Sequence, residues 1–91
     1  MSKTRDKFIR KITNKIMLKR LWNEQRGKNW AVEAVEHAEK ITDGKLWGVG
    51  ISELNQDLLD NIHTQALVTK GINAVPATTM AYETAKAADQ S

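Results

Sequence analysis

Residues 4–26 contain no proline or glycine and are rich in Lys, Arg, Ile, Leu and Met, a pattern that predicts a helix. Its apolar positions form two stripes. At roughly 100° per residue, Phe8, Ile9, Ile12 and Ile16 share one side, whereas Met17, Leu18, Leu21 and Trp22 fall largely on the other. The face switches near Ile16 and Met17, so this helix either bends there or packs its two halves on different bodies.

After Gly27, Asn29 is a candidate N-cap for a second helix running to Ile41 or Thr42, with Trp30, Ala34, Ala38 and Ile41 in one narrow stripe. Val32 and Val35 sit off that stripe and offer a second contact. Gly27 costs only about 1 kcal/mol inside a helix, so the first two segments also read as one long helix with a weak point. A third helix is predicted over 53–70, capped by Ser52, with Leu54, Leu58, Ile62 and Ala66 as core positions and Leu59 at their edge. Lys70 and Gly71 form its stop signal. Residues 72–76 read as a loop, and Pro76 opens an alanine-rich helix over 77–88 whose sizeable apolar groups are Met80 and Tyr82.

The pattern therefore predicts an all-α fold of three to four helices in one domain, 1–91. A basic N-terminal helix (1–28) precedes a central antiparallel helical hairpin (29–71) and an Ala-rich C-terminal helix or tail (72–91). Between the hairpin helices lies TDGKLWGVGIS, residues 42–52. Its glycines do not make a phosphate cradle, because such a loop follows a buried strand and here an amphipathic helix precedes it. Gly44 reads as a helix stop, and Gly48 and Gly50 as freedom to reverse the chain. The open point is Trp47, which either plugs the end of the hairpin or projects as an anchor into a partner.

Charge sharpens this picture. Residues 1–28 carry ten basic side chains (Lys3, Arg5, Lys7, Arg10, Lys11, Lys15, Lys19, Arg20, Arg26 and Lys28) against two acids. Residues 29–91 carry four lysines against nine acids, so the formal net charge of +3 conceals a head of +8 on a body of −5. Such a head suits docking on nucleic acid, an anionic lipid surface or the acidic body of a neighbouring copy. Carboxylates on the two middle helices read as exposed faces matched to the basic head.

Candidate chemistry is sparse. The absence of cysteine excludes disulfides, thiolate zinc sites and a cysteine nucleophile, and fits a cytoplasmic setting or the interior of a virion or other assembly. Glu33 with His37, and Asp60 with His63, have helical spacing for metal ligation, but the pairs fall on different sides of the hairpin, so no metal and no other cofactor is expected. Serines lie at 2, 52 and 91, two near the ends and one at a cap, and no catalytic constellation forms around them. No stretch approaches the ~20 apolar residues of a membrane span, and no apolar run of a secretory signal follows the basic start.

The expected function is accordingly non-enzymatic: an assembly or interaction protein, homo-oligomeric or part of a larger complex such as a viral one, docking through its basic helix. Met17, Leu18, Leu21, Trp22, Trp47, Met80 and Tyr82 are the candidate protein-interface residues. Two alternatives stay open: a nucleic-acid-binding accessory protein, for which no base-reading motif is present, and an inhibitor that masks a host protein surface.

Overall fold

The computed structural model describes residues 3–18, 23–68 and 73–89. They form four helices and, among the described residues, no strand: α1 (Lys3–Leu18), α2 (Glu24–Ile41), α3 (Glu53–Val68) and α4 (Ala74–Asp89). The fold is all-α, as the apolar periodicity predicts.

α1 buries the first of its two stripes, Phe8, Ile9, Ile12 and Ile16, together with Thr13, whose hydroxyl donates to the Ile9 carbonyl at 2.7 Å. The expected continuation to Arg26 does not occur, because Asn23 is extended (ψ 169°) and caps α2 by accepting the Arg26 N–H at 2.9 Å. Asn29, the sequence candidate for that cap, instead lies exposed within α2, accepting from Gln25 Nε2. Gly27 is thus interior to α2 and buried. A Cβ there would sit 3.7 Å from Ile16 and 3.8 Å from Thr13, an ordinary contact, so α1 and α2 cross closely at a position alanine would also fit.

α2 ends in a Schellman motif. The Gly44 N–H bonds the Glu39 carbonyl at 2.9 Å and the Asp43 N–H bonds that of Lys40 at 3.1 Å, with Asp43 (φ 55°) and Gly44 (φ 77°) both left-handed. The predicted stop at Gly44 is therefore present, with Asp43 holding the more demanding position. Ser52 caps α3 as expected, its hydroxyl accepting the Asn55 N–H at 3.1 Å. The predicted stop at Lys70 and Gly71 lies outside the described residues. α4 starts three residues before the expected Ala77, because Pro76 fits within a first turn, where no intrahelical N–H is required.

Side-chain pairs fix the helix directions. Arg5 meets Glu39 while Gly27 faces Thr13 and Ile16, so α1 and α2 are antiparallel. Lys11 meets Asp60 and Lys15 meets His63, so α1 and α3 are parallel. α3 and α4 form the most extensive pairing of the fold, a hairpin in which Tyr82 returns beside Leu54 and Asn55. Small residues make it possible: Ala74, Ala77, Ala81 and Ala85 are fully or almost fully buried, which permits close helix approach. The middle helices α2 and α3 are antiparallel, as predicted, but they meet only sparingly across a diagonal, and each packs chiefly on a flanking helix.

That diagonal explains the glycine-rich segment. Residues 42–52 must cross one end of the bundle to carry the chain from α2 to α3, and they bury Leu46 completely as they do so. Asn55, itself buried, secures the crossing by donating to the carbonyls of Lys45 (3.1 Å) and Leu46 (3.3 Å).

Candidate docking surface

The basic side chains of the head separate into distinct groups. Arg5 Nε bonds Glu39 Oε2 at 3.1 Å, with about 30% of each side chain exposed (30% and 29%), and so ties α1 to α2. Lys11 Nζ lies 3.4 Å from Asp60 and 5.5 Å from the centre of the Phe8 ring, where a cation meets the negative face of the aromatic system. Lys15 Nζ donates to His63 Nε2 at 3.5 Å. These three cations hold α1 against the body.

Lys3, Lys7 and Arg10 do not. They are exposed and, among the described residues, make no ion pair. Their spacing of i, i+4 and i+7 places them in one outward stripe, extended by exposed Asn14 and ending at Leu18, 79% exposed, with Met17, 38% exposed, at its flank. Asp6, the acid of α1, borders this stripe at the groove between α1 and α2, which Arg10 and Asn14 also line. That groove, of about 580 Å³, mixes Arg5, Arg10 and Lys28 with Asp6 and Glu24, so its electrostatic character is divided. Arg26 and Lys28 are exposed on the first turns of α2, Lys28 within that groove. Lys19, Arg20, Leu21 and Trp22 lie outside the described residues.

Trp47 turns inward. Its indole N–H donates to Glu39 Oε2 at 2.7 Å, and its ring meets Phe8 at 5.8 Å between centroids with a 37° tilt. It is half-buried against the core and closes the end of the bundle under the crossing segment. Glu39 therefore joins Arg5, Trp47 and two helices through one carboxylate oxygen. Sequence reasoning missed Glu39; the available signal was that a tryptophan placed at a helix junction needs an acceptor for its indole N–H. Leu46 was missed as well, because a single leucine in a loop has no periodicity to mark it.

The remaining candidates are dispersed. Met80 is 44% exposed, whereas Tyr82 is half-buried with Lys86 Nζ 5.4 Å over its ring. Two residues apart on a helix, they face different directions and form no common patch. His37 Nε2 lies 3.3 Å from Thr79 Oγ1 in a shallow groove of about 670 Å³ between α2 and the start of α4, which Glu33 and Glu36 also line. His63 faces Lys15 rather than a second carboxylate pair. Burial, and then the Lys15 and Lys11 charges, push its pKa below the usual 6.5 against the opposing pull of Asp60. Among the described residues no group of three or more potential ligands could hold a metal ion, and no helix is long and apolar enough to cross a membrane.

No known protein family, curated protein or solved structure matches the chain.

Proposed function

We propose that the protein is a small non-catalytic docking module that joins an assembly by laying the outer face of α1 on an acidic protein surface. One observation carries this reading: Lys3, Lys7 and Arg10 form an exposed stripe that makes no ion pair among the described residues, while Arg5, Lys11 and Lys15 on the same helix are engaged with the body. Solubility does not require cations sorted in this way. The stripe ends in Leu18, a large apolar side chain left 79% exposed. A protein surface can bury that side chain, whereas a phosphate backbone offers it nothing to pack against, which favours a protein partner.

The test uses fluorescent poly-L-glutamate and random-sequence duplex DNA as parallel probes. Salt-sensitive binding to poly-L-glutamate, weakened at least about tenfold in the Lys3→Glu/Lys7→Glu/Arg10→Glu variant, supports the reading. Tighter binding to the duplex, falling about fortyfold between 50 and 200 mM salt as three phosphate contacts require, would move the assignment to nucleic acid. Unchanged poly-L-glutamate binding in the triple variant would refute a docking role for α1.

A further inference from the structure

α3 carries a counterpart to the α1 stripe. On α1 the outward positions are Lys3, Lys7, Arg10, Asn14 and Leu18; on α3, at the same spacings of i, i+4, i+7, i+11 and i+15, stand Glu53, Asp57, Asp60, Thr64 and Val68. Every cation has an acid 50 positions later, the amide a hydroxyl, and the terminal leucine a terminal valine. Each set spans roughly 80° of arc at 100° per residue, opposite the buried face of its helix. Glu53 and Thr64 are exposed, Asp57 and Asp60 half-exposed, and Val68 is 63% exposed.

The two helices also stand at matching levels. The Lys11–Asp60 and Lys15–His63 contacts make α1 and α3 parallel, with sequence separations of 49 and 48. The separation of 50 between the stripes departs from this by one or two residues, an axial offset of only about 1.5–3 Å, which long lysine and arginine side chains absorb. α1 and α3 pack side by side, so their outward stripes form neighbouring ridges of the molecule, with Arg10 at the far edge, lining the α1–α2 groove.

We infer that this surface is the interface with a second copy of the same chain, related by a two-fold axis parallel to the helices. That operation brings α1 of each copy onto α3 of the other, level and parallel. Lys3 meets Glu53 and Lys7 meets Asp57 of the second copy, and Leu18 packs on Val68; symmetry makes each contact twice. Other arrangements serve the charges badly, since a stripe of α1 against its own equivalent sets cation on cation. An isologous contact of this kind closes at two copies. The inference rests on the docking role proposed for α1 and names the acidic partner. Because exposed ion pairs are individually weak and screened by salt, the dimer depends on ionic strength.

Native mass by light scattering tests it. The wild type is a dimer at about 0.1 M salt, where charges act over roughly 10 Å, and dissociates near 1 M, where that reach is roughly 3 Å. Lys3→Glu/Lys7→Glu and Glu53→Lys/Asp57→Lys each yield monomers, whereas mixing the two yields a 1:1 dimer, and combining all four changes in one chain restores the homodimer. These positions avoid Asp60, which α1 already uses, and circular dichroism confirms the folding of each variant. The chain has no cysteine, so oxidising a mixture of Asn14→Cys and Thr64→Cys chains reports on the level alignment, and a cross-linked heterodimer is expected. A wild type that stays monomeric at 0.1 M salt, a mixture that fails to associate, or masses growing beyond two copies would each overturn the two-fold dimer. If the wild type is monomeric while Lys3→Glu/Lys7→Glu still loses poly-L-glutamate, only the choice of partner falls; if that variant changes neither mass nor poly-L-glutamate binding, the docking role falls with it.

Discussion

Replacing Trp47 by alanine separates a structural plug from a binding anchor. The ring is half-buried against the core and touches Phe8, and its N–H reaches Glu39 at 2.7 Å. A buried tryptophan removes about 150–250 Å² from water, so about half of that at about 25 cal/mol per Å² amounts to roughly 2–3 kcal/mol. The hydrogen bond to a carboxylate adds about 1 kcal/mol once its exposure is discounted. Trp47→Ala should therefore destabilise by about 3 kcal/mol, and Trp47→Phe, which keeps most of the ring and loses the donor, by about 1 kcal/mol. For a domain of this size each kcal/mol moves Tm by about 4–8 °C. The assay is urea or thermal unfolding followed by circular dichroism, with the native mass measured in parallel. A loss below about 1 kcal/mol for Trp47→Ala, accompanied by impaired association, would refute the plug and make Trp47 an interface residue.

Gly27→Ala should stabilise the fold by about 1 kcal/mol, read as a higher urea midpoint at unchanged slope, because alanine favours the helix interior and its Cβ meets Ile16 and Thr13 at ordinary contact distance. Asp43→Gly should stabilise by about 0.5–1 kcal/mol in the same assay, since it relieves a left-handed residue bearing a Cβ at the α2 terminus. His63 titrates below 6.5 in the fold, so the folded state binds fewer protons than the unfolded chain between the two pKa values. Its stabilising contribution is complete above 6.5 and lost as pH falls below that value; His63→Gln should flatten the urea-midpoint profile in that window.

The core faces were legible in the sequence wherever a stripe had several large members. Phe8, Ile9, Ile12 and Ile16 are buried together, as are Leu58, Ile62 and Ala66. Val35, set apart as an off-stripe contact, is fully buried because α2 packs on both α1 and α4, which widens its apolar arc. The start of α2 was misplaced for a definite reason. Both Asn23 and Asn29 can cap, and Gly27 between them read as a break until the structure showed it as the site where α1 crosses closely. Helix adjacency was less legible still, since the α3–α4 seam is built from alanines whose individual signals are weak. On the docking surface, the net charge of the head was plain, but its division into inward and outward cations was not. Arg5 and Lys7 differ little by residue type; the first meets Glu39 because the bundle places α2 beside it.

That division also bears on why the outer stripe exists. A helix N-terminus carries partial positive charge, so cations in the opening turns are disfavoured and acids favoured. α3 obeys this with Glu53, whereas α1 sets a single acid, Asp6, among Lys3, Arg5 and Lys7 in its opening turns. Like charges at i, i+4, such as Lys3 and Lys7, cost a further 0.2–0.5 kcal/mol or so. Arg5 recovers part of the penalty through Glu39, but Lys3 and Lys7 make no ion pair among the described residues. Helix physics alone would not select this arrangement, and an intermolecular contact would. Lys3→Glu/Lys7→Glu should thus raise monomer stability by about 1 kcal/mol, measured at high salt and low protein concentration, while abolishing association at low salt. If the double variant unfolds at a lower urea concentration than the wild-type monomer, the two lysines support the fold itself, and the case for an outward-facing docking stripe is lost.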